Sequence, residues 1–164
     1  MRYGRDSVDF RIAGGIIVQV LMHSNPWDFP GSSGYDEIEW HMWRTRQWPY
    51  LHINEGDTFF TVTGGGPAAG TIKSECRIED LVLAPYSTHQ EAWDLVRTGI
   101  PAGVRRQVGL VRSSQFLRHA YTRKAPPSGH LMAFVSRHIR DINQPRPDGP
   151  KLRPNGWARW DKSW

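Results

Sequence analysis

The chain has one cysteine, Cys76, in 164 residues. A lone thiol excludes an internal disulfide and a cysteine-ligated zinc site. Long apolar runs are missing as well. None approaches the ~20 residues that a membrane-spanning helix needs. The opening Met1-Arg2-Tyr3-Gly4-Arg5-Asp6 lacks the apolar core of a signal peptide. A cytoplasmic protein with no membrane partner is expected. No repeat recurs at any period, and there is neither a P-loop nor a Gly-x-Ser-x-Gly elbow. The seven histidines show no metal-ligand spacing. No cofactor and no metal are expected.

Acidic residues run short after position 96. Residues 1–96 hold 7 Lys/Arg and 13 Asp/Glu, net −6, whereas residues 97–164 hold 14 Lys/Arg and 3 Asp/Glu, net +11. The whole chain carries +5 and has a pI near 9.7. So basic a second part resembles a phosphate-contacting surface. A plain solubilising surface would look the same by charge alone. Arginine outnumbers lysine, and its planar fork pairs with phosphate oxygens two at a time, which favours phosphate. The candidates for nucleic-acid backbone contact are Arg105, Arg106, Arg118, Arg123 and Lys124, with Arg112 in the same dense set. Arg44 and Arg46 border an aromatic segment and join them.

Aromatic residues make up 12% of the chain. They supply bulk that the aliphatics do not. Four of the eight tryptophans fall between Asn25 and Ile78. Aromatic rings on a loop beside short strands can form a slot for a flat, extruded base. Trp27 follows Pro26 in a Pro/Gly/Ser-rich loop and is a candidate stacking ring. Trp40 and Trp48 are the next candidates for pocket walls, and the remaining tryptophans suit the core. Trp40 and Trp43 stand three apart, so a helical turn would put them on one face. Ser24 and Asn25 can hydrogen-bond a base edge, although an Asx-turn that shapes the loop is the commoner use of Asn.

One domain of 164 residues is expected, its core over residues 13–142 and an extended Pro-rich tail over 143–164. Gly14–Met22 reads as a buried strand and His23–Gly34 as a loop. Asp36–Trp48 fits either a helical turn or an irregular arm. Asn54-Glu55-Gly56-Asp57 is a turn before the strand Thr58–Val62. A hairpin around Gly64–Pro67 leads into a strand over Ala69–Ile78. Asp80–Pro85 gives another short strand. Thr88 and Glu91 form a capping box that opens a helix ending at Gly99-Ile100-Pro101. Val104–Val111 reads as a strand. Ser113 or Ser114 caps a short helix through Tyr121, broken by Ala125-Pro126-Pro127. Leu131, Phe134, Val135, His138, Ile139 and Ile142 mark one apolar helix face. Trp157, Trp160 and Trp164 pin the tail back on the body. The mixed order of short strands and helices predicts an α+β fold with a small, partly open barrel.

The segment order resembles the EVE domain of the PUA-like superfamily, which is related to YTH and ASCH domains. The matching residues run over 13–80. They are the strand Ile16–Met22, then Asn25-Pro26-Trp27-Asp28, then Ile38-Glu39-Trp40. Ile53-Asn54-Glu55-Gly56-Asp57 follows, opening Thr58–Val62, and Gly64-Gly65-Gly66-Pro67-Ala68-Ala69-Gly70-Thr71-Ile72 resembles the family's glycine hairpin. Trp43, Trp48 and the basic tail depart from the family pattern. The resemblance implies a PUA-like small β-barrel of about five to six strands flanked by helices. It implies a reader module for a modified or flipped base in DNA or RNA, with no catalysis of its own. A catalytic partner protein would supply any chemistry.

Two other classes stay open on the residues alone. One is an enzyme: a nuclease using His119, His130 or His138 with Asp141 and Asn143, or a small-molecule enzyme on an ASCH-type scaffold. The other is a protein-docking module that uses the aromatic arm. Cys76, within a strand-like run, reads as an inert buried thiol.

Overall fold

The computed structural model describes residues 20–25, 36–63, 71–145 and 156–160. They form an α+β fold with two compact units. One unit gathers β1 (Val20–Asn25), residues 52–78 with β3 (Thr58–Thr63), and the chain from Arg137 through β6 (Trp157–Trp160). The other gathers Asp36–Leu51 with β2 (Glu37–Trp43) and Glu79–Ser136 with four helices. Two long strands, β4 (Thr71–Tyr86) and β5 (Gly129–Pro145), belong in part to each.

In the first unit β1 runs parallel to β3 and antiparallel to β6. β3 pairs antiparallel with β4, with Thr58 opposite Arg77. Phe59, Phe60 and Val62 are all fully buried, so β3 is covered on both faces. Trp157 is fully buried with its ring 5.6 Å from Phe59. Of the other tail tryptophans, Trp164 lies outside the described residues. The turn before β3 also follows the sequence. Gly56 adopts φ +85°, where a side chain would be strained. Asp57 Oδ2 accepts from the Asn54 amide at 2.8 Å, and the Gly56 amide donates to Ile78 O at 2.8 Å.

In the second unit β2 pairs antiparallel with β5, from Glu37↔Ser136 to Trp43↔His130. Gly129 opens β5 where only glycine fits, because a Cβ there would collide with the Trp43 carbonyl. Helix α1 (His89–Gly99) begins as its sequence predicts: the Glu91 amide donates to Thr88 Oγ1 at 3.0 Å. Glu91 in turn accepts from the Ser87 amide at 2.6 Å. Ala92, Trp93 and Val96 form its buried face. Helices α2 (Ala102–Gln107), α3 (Ser113–Leu117) and α4 (Ala120–Lys124) follow. Phe116, Leu110, Ile100, Met42, Leu131, Ala133 and Val135 join α1's face in one core, with Trp40 and Ile38 packed against it.

Several expectations are corrected here. Ser24 and Asn25 are strand residues of β1, not loop. Asp36–Trp48 is neither a helical turn nor an irregular arm over Glu37–Trp43, which is strand β2. Trp40 and Trp43 therefore point to opposite faces. The short strand at Asp80–Pro85 is the continuation of β4, past a residue with φ 51° at Asp80. Val104–Val111 is not a strand. Val104 and Val108 stand one helical turn apart and pack on the core from α2. Gly109 at φ +80° ends that helix, its amide donating to Arg106 O at 3.2 Å and the Leu110 amide to Arg105 O at 2.9 Å. The helix expected over Leu131–Ile142 is strand β5. Leu131 to Val135 are all fully buried, so polar alternation is lost and the period cannot be read.

The neighbouring strands run β2-β5-β4-β3-β1-β6. Among the described residues no pairing closes the strands into a barrel. Residues 14–19 of the expected first strand, the hairpin tip Gly64–Pro67 and tail residues 146–155 lie outside the described residues. No helix among the described residues is long and apolar enough to cross a membrane.

Candidate nucleic-acid interface

The helical part of the second unit carries the charge. Residues 97–124 hold seven Lys/Arg and no Asp or Glu. They cover the end of α1 and all of α2, α3 and α4. Arg97 is exposed and paired with Asp94 at 3.7 Å. Arg106 ends α2, Arg112 and Arg118 bracket α3, and Arg123 with Lys124 end α4. These last five are exposed, and among the described residues none of them makes an ion pair. Cations at helix C-terminal turns gain a few tenths of a kcal/mol from the backbone dipole, roughly 0.3–1 kcal/mol at best. Five unneutralised charges within 19 residues also repel one another.

Arg105 stands apart from this set. It is buried, its Nε donates to Ile100 O at 3.1 Å, and its guanidinium lies 5.6 Å from the Trp93 ring centre. The sequence groups it with the phosphate contacts, whereas its Nε and its cation–π contact serve the α1–α2 corner. Arg44 and Arg46 are exposed after β2. Arg46 lies near enough to Tyr50 to oppose the upward shift that burial gives that phenol.

The base-slot candidates fall in both units and in the undescribed residues. Trp27 lies outside the described residues. Ser24 and Asn25 sit in β1 opposite Val62 and Thr63, in the first unit. Trp40 and Trp48 belong to the second unit. Trp40 is half-buried; its indole N–H donates to Thr122 Oγ1 at 3.0 Å, and its ring lies 5.1 Å from Phe116 and 5.0 Å from His119. Trp48 is half-buried in the turn after β2. No family model, no curated protein and no solved structure matches the chain.

The histidines of the nuclease reading are divided. His119 and His130 are in the second unit, while His138, Asp141 and Asn143 are in the first. His119 Nδ1 accepts from the Tyr121 amide at 3.2 Å and so caps α4. His138 Nε2 lies 3.3 Å from Asp141 Oδ1. Among the described residues no three His, Cys, Asp or Glu side chains are placed to hold a metal. Cys76 is buried, as its strand setting predicted.

One polar cluster escaped the sequence reading. Glu37, Glu39 and His41 alternate along β2 with Ile38, Trp40 and Met42, so they share the face opposite the core. Glu39 Oε2 lies 3.9 Å from His41 Nε2. The His41 ring stacks on Trp43 at 5.3 Å and faces Phe134 at 6.4 Å. Glu37 is pushed up to about 7, first by burial, then by the charge of Glu39 and a hydrogen bond to it. The two-residue period of Glu-Ile-Glu-Trp-His-Met-Trp was the available signal.

Proposed function

We propose that this chain is a nucleic-acid-binding module whose exposed arginines and lysine on α2 to α4 contact phosphates. The observation that carries the reading is the acid-free run over residues 97–124, with five exposed cations that make no ion pair among the described residues. A surface built only for solubility mixes both signs. This run of sequence keeps a single sign and accepts the repulsion. Arginine's fork suits phosphate oxygens, and a polyanion would relieve the repulsion by releasing its own counterions.

The resemblance to EVE domains extends the proposal to a small PUA-like barrel and to a modified or flipped base held by Trp27 or Trp48. What supports that extension is the segment order over residues 13–80. The base would be read in DNA or RNA, and a catalytic partner would act on what is bound.

Charge reversal tests the phosphate reading. The variant Arg118→Glu/Arg123→Glu/Lys124→Glu is expected to bind a short labelled oligonucleotide at least about 10-fold more weakly at low salt, with a shallower salt dependence. Arg105→Ala is the control, because its side chain is spent inside the protein. It should lose stability and keep the salt dependence. Equal binding by the triple variant and the unaltered protein, in fluorescence anisotropy, would refute the assignment.

A further inference from the structure

We infer that Tyr121 is a stacking platform for an unpaired base, which makes single-stranded nucleic acid the preferred ligand of the basic helices. The inference rests on the phosphate-binding reading and adds a residue and a ligand state to it.

Tyr121 is one of the few large hydrophobic side chains left exposed, at 38%. Its phenol is not free to swing. The Met42 amide donates to the Tyr121 oxygen at 2.7 Å, and the Tyr121 hydroxyl reaches Met42 O at 3.5 Å. Met42 belongs to β2, whose neighbour among the described strands is β5, so the hydroxyl covers backbone groups on the side of β2 away from β5. Burial pushes the phenol up and the Met42 bond opposes the shift, so the hydroxyl stays protonated at neutral pH. The polar end is thus held inside while part of the ring faces solvent.

A ring held this way has lost its rotational freedom before any ligand arrives. A base stacking on it therefore forfeits little entropy. The charges around it are the right ones. Arg118 and Arg123 flank Tyr121 in the chain, and Lys124 lies three residues on in α4, on the same side of the helix. No carboxylate occurs anywhere between positions 97 and 124 to repel a phosphate. Cations beside an exposed aromatic ring match the alternation of phosphate and base along a single strand. A duplex keeps its bases stacked on one another and cannot offer a free ring face.

The test compares a short pyrimidine strand, the same strand with abasic sites, and the corresponding duplex. The unaltered protein should prefer the base-bearing strand to the abasic one by roughly 5- to 150-fold. Tyr121→Leu should abolish that preference and leave binding to the abasic strand unchanged. Tyr121→Phe, which keeps the ring and loses the hydroxyl, should retain most of it. Photocrosslinking the unaltered protein to an iodouracil-substituted strand needs no variant and should mark Tyr121. Crosslinks confined to other residues, or an undiminished preference in Tyr121→Leu, would overturn the inference while leaving phosphate binding intact. Absence of salt-dependent binding to every strand would overturn both.

Discussion

Glu37→Gln is expected to stabilise the protein above pH 7 and to leave it nearly unchanged below pH 4.5. The reason lies in the pair of carboxyls on β2. Glu37 is pushed up from 4.5 to about 7, chiefly by burial and next by ionised Glu39. Its protonated form donates to Glu39. The folded chain therefore holds a proton that the unfolded chain releases between those two values. A raised carboxyl contributes its full stability below the unfolded value and loses it as pH climbs through the folded one. The decline across this window should amount to about 3 kcal/mol. Glutamine keeps the shape and the donor and has no proton to lose. Urea unfolding followed at several pH values should show a falling curve for the unaltered protein and a flat one for the variant. Two parallel curves would mean that Glu37 titrates as an ordinary surface carboxylate.

Phe116→Ala should cost about 3–5 kcal/mol. Phe116 is fully buried, with its ring 5.1 Å from Trp40 and 5.7 Å from Trp93. Neither indole can collapse into the gap easily, since Trp40 is tied to Thr122 and Trp93 lies under Arg105. Helix α3 has only five residues and cannot persist on its own propensity. Phe116 is its buried side chain, and α3 ends at Arg118 beside α4. The same substitution should therefore weaken nucleic-acid binding through disorder of the basic helices. Phe116→Leu should cost less than half as much. A loss below about 1 kcal/mol for Phe116→Ala would show that the site repacks freely.

The helix α1 and the turn at Gly56 were legible because their signals are local. Thr88 accepts from the orphan amide of Glu91 three residues on, and Gly56 answers a backbone angle. Strands β2 and β5 carry apolar spacings that a helix also satisfies. Trp40 and Trp43 suggested a helical turn, while the stricter Glu37/Glu39/His41 alternation was the better guide. In β5 both faces are buried, so its apolar run carries no period of its own. In α2 the β-branched valines suggested a strand, although Val104 and Val108 sit one helical turn apart. The basic character of the second part of the chain was plain from composition. That Arg105 turns inward was not, since burial of an arginine depends on a carbonyl and a ring brought close by the fold. Tyr121 gave no sequence signal at all, because its role follows from a strand edge 79 residues away.

The most direct measurement is the affinity of the unaltered protein for a short end-labelled single strand as salt is raised. Log affinity should fall linearly with log salt, with a slope of about −3 for four to five phosphate contacts. Binding that ignores salt, or no binding at low salt, would contradict the account.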